Sequence, residues 1–287
     1  MFLIILLLVI IILILLLFYQ FYKNISFTSR DNFTSIDNFI SKDNVFNNFG
    51  KEFIIPAMDS PKWVQYIDKL EYKKLCDSIG VKTVPTLEIL NEPNDLYRLQ
   101  NKLPEKFVIK ATKGCGRNIF IHDKSLMNIE KIINEIETFH EPYDVENQPQ
   151  YEYVKNRIFI EELIEPIPVD VKVIMYNQNP KIIWINRGRF EENLEKSIYT
   201  IENNEMKFQP DCFWHRKSSQ ILNAQVADIK KKSNALLNIC HKFNVDLPLY
   251  RLDFFWHDGE FYGSEITLTS GNFKSRIDNK CCDFVFH

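Results

Sequence analysis

Residues Phe2 to Phe18 contain no glycine, proline, polar or charged side chain, and that run constrains everything behind it. At about 1.5 Å per helical residue it spans roughly 26 Å, close to the ~30 Å hydrocarbon core of a bilayer. Tyr19, Phe21, Tyr22 and then Lys23 supply the aromatic and cationic fringe expected at a bilayer surface. A cleaved signal peptide has a basic start, a shorter apolar stretch and a small-residue cleavage site. This run has no basic start, and no Ala-x-Ala-like site follows it. Residues 1–22 are therefore expected to form a transmembrane anchor, with the remainder folding apart from it. Lys23 and Arg30 follow the run and no charged side chain precedes it, so the positive-inside bias predicts a cytosolic body. Two glycosylation sequons, Asn24-Ile25-Ser26 and Asn32-Phe33-Thr34, point the other way. In so asparagine-rich a chain they are read as chance matches.

The rest is long enough to bury a large core, as one large domain or as two or three lobes. A net charge of -3 gives no global basic field, so no nucleic-acid partner is expected. The six cysteines are scattered with no CxxC spacing, which favours free thiols in a reducing compartment over zinc or a disulfide framework. Cys281-Cys282 could be acylated beside a membrane, but a plain tail is the preferred reading. His215 and His241 have no evident partner and read as surface or packing residues.

Residues 23–57 are rich in Asn, Ser, Asp and Phe without periodicity and read as a tether with at most one short helix. Ser60-Pro61 is an N-cap followed by proline at the first helical position, and that helix is expected to run to Ile79 and stop at Gly80. Strands are expected over 81–90, 107–111, 118–122, 157–163, 169–176, 182–189, 249–257 and 260–268. Helices are expected over 93–101, from a Ser125 cap to Phe139, and over 217–243. Asp258-Gly259 is a hairpin turn. The mixture predicts an α/β or α+β fold.

Three constellations carry chemistry. In residues 107–118, Lys110 ends an apolar strand, Gly114 and Gly116 permit close backbone approach to a ligand, and Lys113 and Arg117 add charge. No Walker spacing is present, and from this stretch alone an ordinary hairpin with turn glycines is an equal reading. In residues 158–172, adjacent Glu161 and Glu162 point to opposite faces of a strand end, while Asp170 and Lys172 share a face of the next strand. An acid there suits ribose hydroxyls and a lysine a phosphate, although a solvated Asp–Lys pair is the simpler reading. In residues 250–271, Asp253 sits inside an apolar strand, where an acid needs a partner or a metal. Glu265 returns on the paired strand, and carboxylates plus substrate phosphates are the usual way a protein holds magnesium. A two-residue turn alone would pair Asp253 with Ser264 and put Glu265 on the other face. A longer loop or a one-residue bulge is therefore expected. Arg187 and Arg189 share one face of one strand, and a phosphoryl-stabilising or acceptor-binding role weighs equally with a surface basic pair.

Taken together, these signatures resemble the ATP-grasp superfamily and, within it, the TupA-like branch named for teichuronopeptide biosynthesis. They are Asp68-Lys69, the lysine and glycine-rich turn of 107–116, Glu161-Glu162-Leu163, and Arg251-Leu252-Asp253 followed by the segment 262–271. The resemblance covers roughly residues 60–271. It implies an α+β ATP-grasp fold, with nucleotide held between two α+β lobes, behind the transmembrane helix. The division is then 1–22 anchor, 23–57 tether, 58–271 catalytic domain and 272–287 C-terminal tail.

The resemblance also implies roles. Lys110 would contact ATP phosphates, with Lys113, Gly114, Cys115, Gly116 and Arg117 closing over them. Glu161, Glu162 and the backbone near Leu163 would hold adenine, Asp170 the ribose and Lys172 a phosphate. Asp253, Glu265 and Thr267 would bind magnesium, Thr267 standing where many relatives have asparagine. Arg187 and Arg189 would be catalytic. Cys115 is read as loop filler. The expected activity is an ATP- and magnesium-dependent carboxylate–amine ligase working through an acyl phosphate. Its expected acceptor is an acidic cell-surface polysaccharide or an amino-acid polymer. A kinase of a glycan or small molecule, and a non-catalytic nucleotide-binding module, are the alternatives.

Overall fold

The computed structural model describes residues 45–114, 116–139, 148–188, 194–210, 220–273 and 285–286. The chain divides into the units Met1–Lys42 and Asp43–His287, and every described residue belongs to the second. No described helix is long and apolar enough to cross a membrane. The expected anchor, the sequons and Cys281-Cys282 lie outside the described residues.

The described strands form two antiparallel sheets. The smaller contains β1 (Thr86–Leu90), β2 (Phe107–Ala111), β3 (Asn118–Ile121) and β4 (Ile158–Glu162), in the order β1-β4-β2-β3. Side chains alternate along each strand. Phe107, Ile109, Ala111, Ile119, Ile121, Ile158 and Ile160 fall on one face, in a common apolar cluster. Two helices meet that cluster, α4 (Asp95–Leu99) through Leu96 and Leu99, and α5 (Ile129–Thr138) through Ile132, Ile133 and Ile136. The isoleucines of α5 follow the i, i+3, i+4, i+7 spacing of a one-sided helix, and each such burial is worth roughly 1.5–3 kcal/mol. The opposite face of the sheet carries Val108, Lys110, Phe120, Phe159 and Glu161.

The larger sheet contains β5 (Val169–Tyr176), β6 (Asn179–Arg187), β7 (Glu195–Glu202), β8 (Glu205–Phe208), β9 (Leu249–His257) and β10 (Glu260–Thr267). Its order is β10-β9-β5-β6-β7-β8. Register places Lys172 opposite Asp253 and Trp184, and Asp170 opposite Phe255 and Asn186. These polar residues share one face. The other face carries Val171, Val173, Leu252 and Phe254, all fully buried. Helices α6 (Gln220–Lys231) and α7 (Ser233–Cys240) bring buried Leu222, Ile229, Leu236 and Cys240, and Phe243 just beyond α7 meets Phe254 edge-on.

Between the sheets run α2 (Val64–Ile67) and α3 (Lys69–Ser78). Ser60 does cap the first turn, through the Lys62 N–H, and Gly80 ends α3 at a left-handed φ of 65°. The single helix expected from 61 to 79 is nevertheless broken. Asp68 leaves helical geometry, at ψ 118°, and caps α3 by accepting from the Leu70 and Glu71 N–H groups. Arg157 then holds the buried Asp68 carboxylate at 2.8 Å. The cap of α5 is Asn128 rather than Ser125, and the helix expected over 217–243 divides at Lys232.

α1 (Val45–Phe49), the π-turn Gly50–Ile54 and the 3-10 turn Ile55–Met58 lie in the stretch expected as tether and bury Phe46, Phe49, Ile54 and Met58. Of the expected C-terminal tail, Phe273 packs on Phe46 at 5.7 Å between ring centroids, and Phe286 contacts Phe49 and Tyr176 at 5.3 and 5.1 Å.

Candidate active site

The polar faces of the two sheets line one cleft. The small sheet contributes Val108, Lys110, Asn118, Phe120 and Glu161; the large one contributes Asp170, Asn186, Phe255, Ser264 and Glu265. Lys69, Gly116 and the Glu162–Leu163 segment complete the lining. Lys110 Nζ stands 5.9 Å from the centre of the Phe255 ring, so the faces touch across the cleft. The segment before β1 joins them from behind. The Gly263 N–H donates to the Lys82 carbonyl at 2.7 Å, and Glu162 N–H donates to the Pro85 carbonyl at 3.2 Å.

The hairpin of β9 and β10 satisfies the register expectation by a bulge. Asp258 and Gly259 form a tight turn, both at positive φ. Pairing shifts between Gly263 and Glu265, and Asp253 comes to lie directly opposite Glu265. Without the extra residue Ser264, Glu265 would face the opposite side.

Asp253 is the hub of this face. Its buried carboxylate accepts from Arg251 Nε at 2.5 Å, from Arg251 Nη2 at 2.6 Å and from Lys172 Nζ. Lys172 is also 3.1 Å from Asp170. Arg251 also donates to Ser270 Oγ at 2.9 Å and Thr267 Oγ1 at 3.0 Å, and lies 3.9 Å from Glu265. Burial alone would raise the Asp253 carboxyl, but Arg251 and Lys172 outweigh it and hold it at about 2. A carboxylate held below its unfolded value contributes stability that is complete above the ordinary carboxylate range and fades as pH falls through the folded value. Denaturant midpoints measured from neutral pH down to about pH 2 are therefore expected to fall steeply in the wild type only below about pH 4. The gap between wild type and Asp253→Asn is expected to shrink over the same window.

Some of the expected site residues line the cleft and others lie elsewhere. Gly114 and Gly116 adopt φ of 79° and 77°, so the turn does need glycine at both places. The Gly114 carbonyl accepts from Lys69 at 2.6 Å, which pins the turn to the start of α3. Lys113 lies in this turn, and Cys115 lies outside the described residues. Arg117 turns away from the cleft and donates to the Phe139 carbonyl at the end of α5. Glu161 does not offer its carboxylate to a base, because Lys110 and Lys73 occupy its two oxygens. Glu162 and Leu163 line the cleft next to it. Lys172 does not reach the cleft lining; two acids hold its ammonium. Thr267 accepts from Arg251 instead of facing a metal site. Arg187 pairs with Glu195 at 3.4 Å across β6 and β7, away from the cleft, and Arg189 lies outside the described residues.

Among the described residues no group of three or more His, Cys, Asp and Glu side chains could hold a metal alone. Magnesium is commonly held by one or two carboxylates plus phosphate oxygens. Glu265 is open to the cleft and fits that role, while Asp253 opposite it has both oxygens taken by Arg251 and Lys172 and would have to exchange one of them for the ion. Sequence spacing assigns no role to Lys69, Lys73, Asn186 or Arg251, although Lys69 and Arg251 stand inside the motifs that carry the resemblance.

A profile of the family described as TupA-like ATPgrasp matches residues 48–286. No curated protein matches the chain. Solved structures similar to it include D-alanine–D-alanine ligase from Helicobacter pylori, at 17% identity, 77% of this chain, 60% of that one and a TM-score of 0.39. Another is the ATP-grasp ligase PsnB complexed with minimal precursor, at 16% identity, 79% and 62% coverage and a TM-score of 0.41. A third is D-alanyl-alanine synthetase A from Vibrio cholerae, at 14% identity, 78% and 61% coverage and a TM-score of 0.42. The chain thus spans only 60–62% of the length of these three proteins.

Proposed function

The chain belongs to the TupA-like ATP-grasp family, and from that premise we propose that it is an ATP- and magnesium-dependent carboxylate–amine ligase. The observation that carries the reading is the cleft itself. It has lysines and a glycine turn on one wall and Glu265 on the other, with the buried Asp253 directly opposite Glu265 in register behind that wall. Both are chemically suited to a nucleoside triphosphate. Lys69, Lys110 and the turn amides would bind the phosphates, the Glu162–Leu163 backbone the adenine and Asp170 the ribose. Asp253 and Glu265 would hold magnesium, which when bound neutralises phosphate charge. Arg251 would act from behind the wall that carries Glu265, holding Asp253 in place and adding positive charge near the phosphates.

In the proposed reaction a substrate carboxylate oxygen attacks the γ-phosphorus and ADP leaves. An amine then attacks the acyl phosphate, inorganic phosphate leaves and an amide forms. The protein positions reactants and excludes water; little covalent chemistry is asked of it. An acidic cell-surface polysaccharide or an amino-acid polymer is the proposed acceptor. Residues 1–22 would anchor the enzyme with its ATP site on the cytosolic side, where the nucleotide is.

The test is a screen of carboxylate and amine acceptors for acceptor-dependent ADP release by the full chain, with hydroxylamine as trap. Hydroxamate formation is the expected result. A phosphorylated acceptor without hydroxamate would make the protein a kinase, and ATP binding that never turns over would make it a binding module.

A further inference from the structure

Glu161 is buried on the cleft face of β4, and two ammonium groups meet its carboxylate. Lys110 takes one oxygen and Lys73 the other, at 2.7 Å. The two lysines differ in what else they hold. Lys73 comes from α3 and also donates to the Val84 carbonyl at 2.5 Å and the Thr86 hydroxyl at 3.0 Å. Its three N–H donors thus have three acceptors, and it has nothing left for a ligand. Lys110 lines the main cleft, Lys73 only the small pocket behind it that both lysines share, and the Lys110 bond to Glu161 uses one of its three donors. Burial alone would raise the Glu161 carboxyl, but Lys110 and Lys73 together hold it below the ordinary carboxylate range.

The charge count gives Lys73 its purpose. With one lysine, Glu161 and Lys110 would cancel, and the wall would present little charge to an anion. With two, the cluster keeps one net positive charge, and only Lys110 of the pair faces the cleft. We propose that Lys73 is a positioning residue for phosphate binding. It neutralises and orients Glu161, so that Lys110 is aimed at the phosphate chain with its charge uncancelled. The proposal rests on the nucleotide reading of the cleft and assigns one more residue to that site.

The test compares ATP with adenosine, because a residue acting through Lys110 affects only the ligand that has phosphates. Affinities for both would be measured by calorimetry on the full chain for wild type, Lys73→Met, Lys73→Arg and the double variant Lys73→Met/Glu161→Gln. Lys73→Met is expected to weaken ATP about tenfold or more, the scale of a charged hydrogen bond, and to leave adenosine unchanged. Lys73→Arg retains most ATP affinity. The double variant regains it, since no buried carboxylate remains to consume the charge of Lys110. Should Lys73→Met fail to fold, the double variant still decides: ATP binding near wild type supports the proposal and its absence overturns it. Equal losses for ATP and adenosine, or no loss for ATP, would also overturn it. Wild-type protein that binds neither ligand would instead sink the nucleotide reading, a failure visible before any variant is made.

Discussion

Glu265→Gln is expected to abolish the magnesium dependence of ATP binding while leaving stability unchanged, whereas Asp253→Asn loses that dependence and is strongly destabilised as well. The difference follows from their surroundings. Glu265 is partly exposed, with a 29% accessible side chain, and its nearest cation is Arg251 at 3.9 Å. Such a pair contributes under about 1 kcal/mol. Asp253 is fully enclosed and is shared by Lys172 and Arg251. Removing its charge leaves two buried cations facing a neutral amide, which costs about 3–5 kcal/mol. Titrating ATP with and without magnesium, alongside urea denaturation, separates the two effects. Unchanged magnesium dependence in a folded Glu265→Gln protein would remove the metal site from this hairpin.

A second large effect is expected at Gly50→Ala. A Cβ added there would lie 2.0–2.3 Å from three ring atoms of Phe273. Phe273 is itself buried and packs on Phe46, so the ring has little room to retreat. Overpacking on this scale costs about 3 kcal/mol, and it should detach α1 from the rest of the body. Limited proteolysis is then expected to cut near residues 45–58 in the variant well before the wild type. Gly259→Ala is the control, because nothing lies within 4 Å of the added carbon. It incurs only the left-handed backbone penalty of about 1–2 kcal/mol. Equal protease resistance in all three proteins would mean that the close approach of Gly50 to Phe273 does not hold the segment down.

What the sequence made legible was local. Alternation along 107–111 and 249–257 gave the strands, the glycines gave the turn, and the need to pair Asp253 with Glu265 gave the bulge. What it concealed depended on distant partners. Arg251 looks like one polar residue in an alternating strand until Thr267 and Ser270 return to it. The acceptors of Lys73 come from β1, β4 and the loop before β1, so nothing in the spacing of α3 marks it out. The strands β7 and β8 escaped because their sequence is rich in Lys and Glu. Asn203 and Asn204, both at positive φ, read as loop although they form the hairpin turn. The break at Asp68 was invisible because apolar residues on either side keep a helical rhythm. Residues 45–57 read as tether because their phenylalanines find partners far along the chain, at 176, 273 and 286.

That last pairing bears on how the protein is made. During synthesis Phe46, Phe49 and Gly50 leave the ribosome early, while Phe273 and Phe286 follow only after both sheets have been translated. Hairpins such as β9 and β10 can close as soon as they emerge, because their contacts are near in sequence. The aromatic seam cannot. Until Phe286 is free, the nascent chain carries exposed aromatic side chains on an otherwise nearly complete body, the kind of surface on which unfinished chains aggregate or recruit chaperones. Closure of the seam is thus tied to translation of Phe273 and Phe286, neither of which lines the cleft.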